Sequence, residues 1–115
     1  MLSFTEIPEY NKEIIAAQQP VKVLFRKWKK DGSIIAIFPE LPGTQDATTC
    51  ECYEHNGQHG AGDPAYIIQA TTLAKPEEFA DLKSELERIG YSLKVYIKYT
   101  YSMQQARFAE LRRLS

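Results

Sequence analysis

The run VKVLFRKWKKDGSIIAIFPELPG limits what this chain can fold into more than any other stretch. Residues 21–29 and 34–38 are rich in branched and aromatic side chains, which suit a packed, pleated surface. Asp31-Gly32 lies between them, and glycine reaches the positive φ that a tight hairpin turn demands. In the first strand Val21, Val23 and Phe25 share one face, while Lys22, Leu24, Arg26 and Trp28 share the other. Residues 34–38 are apolar throughout, as expected of a strand covered on both sides. Pro39 and Pro42 then end it, because proline has no N–H for a ladder.

A chain of 115 residues supports one domain with a single modest core. The net charge of −1 leaves no global cationic field to draw in nucleic acid, so an anionic partner must be held by a local patch. No apolar run approaches the ~20 residues of a membrane span, and the N-terminus lacks a signal-peptide profile. A cytoplasmic protein with no membrane partner is therefore expected. Cys50 and Cys52 lie too close in sequence to staple a fold and read as reduced thiols.

Around the hairpin, residues 1–20 form a helical arm, with Pro8 in its first turn and Tyr10, Ile14 and Ala17 at helical spacing. Residues 48–55 read as a third strand and 66–73 as a fourth. Pro76 opens a long helix whose stripe is Phe79, Leu82, Leu86 and Ile89, with Glu77, Glu78 and Asp81 near its positive end and Gly90 as terminator. Residues 91–99 alternate as a fifth strand, with Tyr91, Leu93, Val95, Ile97 and Tyr99 facing the core. Ser102 and Gln105 form a capping box for a last, basic helix carrying Phe108, Leu111 and Leu114 with Arg107, Arg112 and Arg113. The expected architecture is α+β: a five-stranded antiparallel sheet of order 5-1-2-3-4, one long amphipathic helix on one face, and short helices at both termini. The core spans 21–101 and the C-terminal helix 102–115 of one domain. A homodimer through the N-terminal helix or the strand-four edge is a further expectation.

Chemistry concentrates in CECYEHNGQHGAGD, residues 50–63, which holds both cysteines and both histidines. Gly57, Gly60 and Gly62 allow left-handed turns that point several N–H groups into one concavity suited to an anion. Asn56, Gln58 and His59 add directional hydrogen bonds, and Arg26 and Lys98 the counter-charges. This is no Walker loop, since no Lys-Ser/Thr follows. A long hairpin loop whose glycines only satisfy geometry explains the same residues. Cys50, Cys52, His55 and His59 are the ligand types of a zinc site, but their spacing departs from structural zinc motifs, and two buried thiols are the plainer alternative. Cysteine–histidine catalysis lacks a third orienting residue and any sign of an activated thiolate. No catalytic residue or cofactor is assigned on this basis, and zinc stays an alternative.

The outward sheet face carries a second candidate. With strands five and one adjacent, Lys22, Arg26, Lys94 and Lys98 converge around Leu24, Trp28 and Tyr96, an arrangement that tracks phosphates and stacks bases on single-strand-binding sheets. Burial of Trp28 and Leu24 under the last helix is the alternative.

The segments LFRKWKKDGSIIAIFPELPG, YEHNGQHGAGD and PEEFADLKSELERIGYSLKV resemble those of small uncharacterised proteins of bacterial, plasmid and phage genomes, over roughly residues 21–96. The resemblance implies a phage or mobile-element setting, where small single-domain proteins act by binding: blocking a host defence protein or sequestering a nucleotide signal. It carries no assigned activity and no site residues. The leading expectation is a non-catalytic binding protein for a small anionic ligand or a host protein. A single-stranded nucleic-acid module is the first alternative, and a small zinc or thiol enzyme the second.

Overall fold

The computed structural model describes residues 20–55 and 58–114. The expected N-terminal helix, and with it a dimer contact through that helix, lies outside the described residues, as do Asn56 and Gly57. The chain runs β1 (Val21–Trp28), β2 (Ile34–Pro42), β3 (Cys50–Tyr53), β4 (His59–Gly62), α1 (Pro64–Ala70), β5 (Thr71–Leu73), α2 (Pro76–Arg88), β6 (Leu93–Tyr96) and α3 (Tyr101–Leu114). The α+β class holds, with the strands in one sheet of order β4-β3-β2-β1-β5 and β6 also paired to β1.

The hairpin forms as its sequence dictates. Gly32 takes a φ of +77° in the turn. Asp31 accepts from the Ser33 N–H at 3.0 Å and hydroxyl at 2.7 Å, so the turn is closed by its own side chain. Leu24 lies opposite Ile37 and Phe25 opposite Ala36. All four are buried, Leu24 and Ile37 in one cluster and Phe25 and Ala36 in the other. One face is closed by Leu82, Leu86 and Ile89, with the Phe79 ring stacked 4.2 Å from Phe25. The other is closed by Ile67 of α1 and Met103 of α3 over Cys50 and Cys52.

The long helix behaves as expected at both ends. The Glu78 carboxylate accepts from the Lys75 N–H at 2.9 Å. At the other end the Gly90 N–H donates to Glu87 and the Tyr91 N–H to Leu86, with Gly90 at φ +118°. These two bonds make a Schellman motif, and its hydrophobic pair, Leu86 and Tyr91, joins the core.

Four expectations are corrected. Residues 66–73 are not a fourth strand. Asp63 caps α1 by accepting from the Ala65 N–H, Pro64 fills the first helical position, and only 71–73 is extended. The place beyond β3, and the sheet edge there, belongs instead to β4, from the stretch read as a loop. The fifth strand does lie beside β1, but it is parallel and four residues long, and it shares that side of β1 with antiparallel β5. The final helix starts one residue earlier than its expected capping box. Thr100 accepts from the Met103 N–H at 3.3 Å, which makes Thr100 the cap.

Arg107, one of the arginines that make the last helix basic, is 1 % exposed. Its guanidinium donates to the carbonyls of Pro39 at 2.9 Å and Ala47 at 3.2 Å and to the Tyr99 hydroxyl at 3.0 Å. It lies over the Tyr99 and Phe108 rings. Arg107 thus ties α3 to β2 and to the loop before β3.

Replacing Leu86 by Ala should cost about 2–5 kcal/mol in urea denaturation, as for other buried leucines. The Lys27 ammonium, then the Lys75 N–H, hold the Glu78 carboxyl below its ordinary value. A depressed carboxyl contributes stability above its unfolded pKa and loses it as pH falls through the lower folded value. Stability measured against pH should therefore decline below about pH 4, and Glu78→Gln should make that limb shallower.

Candidate functional site

β3 and β4 pair Tyr53 with His59, Cys52 with Gly60 and Cys50 with Gly62. Gly60 and Gly62 are therefore strand residues. Among the described residues the positive-φ glycines are Gly32 and Gly90, so the left-handed turns expected at Gly60 and Gly62 do not form. Close approach explains Gly62 instead. A Cβ there would lie 2.7 Å from Ile67 Cδ1 and 3.2 Å from Cys52 Sγ, where α1 presses on the sheet. At Gly43 a Cβ would meet the Cys50 carbonyl oxygen at 2.5 Å. Around Gly60 there is open space.

The pleat sends His59 to the α2 side of the sheet. Its Nε2 lies 3.2 Å from the Tyr91 hydroxyl, and its ring meets the edge of Tyr53 at 4.7 Å. Tyr53 in turn donates to the Glu85 carboxylate. Glu51, 2 % exposed, lies on the same face. Burial pushes the Tyr91 phenol up, and the charges of Glu51 and Tyr53 add to the shift. Tyr91 therefore stays protonated, as a hydrogen-bonding wall. Glu51 shares this face of β3 with Tyr53, and His59 Nε2 is engaged by the Tyr91 hydroxyl. Gln58 is exposed, but its N–H is given to the His55 carbonyl.

The same pleat separates the cysteines from His59. Cys50 and Cys52 face α1, on the opposite side of the sheet, and both are buried. The Cys52 thiol donates to the Cys50 carbonyl at 3.5 Å. Interaction with Cys50, then burial, pushes the Cys52 thiol far up, so it is no thiolate at neutral pH. His55 is exposed, and among the described residues no three histidine, cysteine or acidic side chains gather as metal ligands. The set Cys50, Cys52, His55 and His59, weighed as a zinc alternative, has its cysteines and His59 on opposite faces of the sheet.

The basic strand face is only partly assembled. Leu24 is sealed under Ile67 and Met103. Arg26 is spent on the end of α1: it donates to the Thr71 hydroxyl at 2.9 Å and to the carbonyls of Ile68 and Thr71 at 3.2 and 3.1 Å. Trp28 is half-buried, with the Lys30 ammonium 5.1 Å from its ring. What remains open lies along β6. Lys22 and Lys94 sit side by side in the parallel register. Their ammonium groups stand 5.6 and 5.7 Å from the half-buried Tyr96 ring. Lys22 also pairs with Glu40 at 2.9 Å, while Lys94 and Lys98 are exposed.

The outer edge of β6 was missed by sequence reasoning. Among the described residues β6 pairs with β1 alone. Val95 and Ile97, expected in the core, are 38 % and 66 % exposed, and Leu73 on the neighbouring short strand is 47 % exposed. Their alternation is that of a core strand, but among the described residues no strand lies on the outer side of β6. Comparison with known protein families, curated proteins and solved structures finds no match for this chain.

The glycines provide a direct check. Gly60→Ala should change stability by less than about 1 kcal/mol, whereas Gly43→Ala should cost more than about 2 kcal/mol, because a backbone carbonyl must move. Thermal and urea unfolding of the two variants measure this. Comparable losses at both positions would contradict the packing account.

Proposed function

We propose that this chain is a small non-catalytic binding protein that takes an extended segment of a partner protein along the outer edge of β6. One observation carries the reading: a strand edge left open among the described residues, with Val95 and Ile97 exposed on it and next to it. Unpaired strand edges are templates for another chain, and natural proteins protect them unless they are used. Main-chain bonds supply affinity in such strand addition, while alternate side chains supply selectivity. The reactive side chains support the same reading, since both thiols are buried and His59 and Tyr91 are bound to each other.

A small anionic ligand at residues 56–63 has less support, because Gly60 and Gly62 lie in a strand and His59 lies against the Tyr91 hydroxyl. A base-stacking sheet face is weakened likewise, with Leu24 sealed and Arg26 engaged. Phage or mobile-element origin, and a host defence protein as the target, belong to the proposal through the resemblance alone.

Peptides selected from a random displayed library against the full chain should shift the backbone amide resonances of Leu93–Tyr96. They should lose at least about tenfold in affinity against Val95→Ser/Ile97→Ser, with each 1.4 kcal/mol worth tenfold. Both replaced residues are exposed, so the variant should melt close to the parent. Selected peptides that map elsewhere, or bind the variant equally well, would remove the edge from consideration.

A further inference from the structure

We infer that the segment accepted on β6 is acidic, with aspartate or glutamate alternating with apolar residues; this deepens the strand-addition reading and rests on it. The parallel register sets Lys22 directly beside Lys94. Like charges placed opposite each other in a sheet work against it. Glu40 answers Lys22 at 2.9 Å, but Lys94 has no carboxylate within ion-pair distance among the described residues, and neither has Lys98 just past the strand. The edge thus combines two chemistries. Val95 lies in register with Val23 on the α2 side, while Lys94 and Tyr96 lie with Lys22 and Leu24 on the other.

An incoming strand meets both, because its own side chains alternate between the faces. Its apolar residues would cover Val95, and its carboxylates would lie along Lys94 and Lys98. Lysines beside the Tyr96 ring gain from the ring's negative face, which holds their ammonium groups near the edge. Acidic partners are therefore attracted and basic ones repelled. A second copy of this chain is disfavoured as the occupant, because its own β6 would bring the same lysines against these. A nucleic acid would use the cations but leave the apolar positions and the open main chain unmatched. The single half-buried Tyr96 ring is a poor platform for successive bases.

The test uses the full chain and two synthetic peptides about ten residues long, one alternating Val with Glu and one alternating Val with Lys. Amide resonances of Leu93–Tyr96 are followed during titration at low and physiological salt. The Val/Glu peptide should bind at least about tenfold tighter than the Val/Lys peptide, with the difference shrinking as salt rises. Lys94→Glu/Lys98→Glu should reverse the preference, and unchanged amide resonances elsewhere would show that this variant keeps the fold. Equal binding of both peptides at this edge would overturn the acidic preference and leave strand addition standing. If neither peptide moves these resonances, strand addition itself falls. Concentration-dependent dimerisation in sedimentation that perturbs the same amides would replace the partner with a second copy. Tighter binding by oligothymidylate at the same residues would replace it with nucleic acid.

Discussion

The contact on which the rest of the structure depends is the two-sided burial of the β1–β2 hairpin. Leu24 and Ile37 point to one face, Phe25 and Ala36 to the other, and all four are sealed. A pair of strands that is apolar on both sides cannot be satisfied by one helical layer. It needs cover above and below, and each large side chain so buried contributes roughly 1.5–3 kcal/mol. The α2 stripe supplies one cover, and α1 with α3 the other. That demand reaches the end of the chain, where Arg107 gives its guanidinium to two backbone carbonyls so that α3 lies down over the loop before β3.

The stretch from Cys50 to Asp63 shows how composition that looks functional can serve packing. Alternation sends the two cysteines to the α1 side and His59 to the α2 side, so residues adjacent in sequence never meet as a site. Gly62 and Gly43 sit where neighbouring atoms leave no room for a Cβ. With these groups consumed by the interior, the unusual exposed chemistry shifts to β6: an edge unpaired among the described residues, with exposed apolar side chains and lysines in one place. The proposed binding rests on where the sheet stops.

Legibility in the sequence followed the range of the interactions involved. The hairpin, its face assignment and both ends of α2 were readable because turns, caps and periodicity act over a few residues. Asp63-Pro64 was equally local, a helix start, but the alternation of Tyr66 to Leu73 overshadowed it. The partition of β1's far side between β5 and β6 was not readable, since each strand is too short to specify a partner. Nor was the burial of Arg107, whose acceptors come from the distant Pro39 and Ala47. Among the candidate residues, Lys22, Lys94 and Tyr96 were brought together as expected, because the adjacency of their strands was right. Arg26 and Trp28 were not left open, because α1 was not foreseen.

By itself, then, the sequence determined where the β1–β2 hairpin turns, how α2 begins and ends and which faces of β1 point inward, because those choices are made by backbone sterics and by side-chain period. Only the tertiary structure decided which inward-facing residues would find cover. Val95 and Val23 belong to the same alternating pattern and lie side by side in the sheet, yet one is sealed and the other exposed. Burial depends on a neighbour, and at the outer edge of β6 no described strand of this chain supplies one.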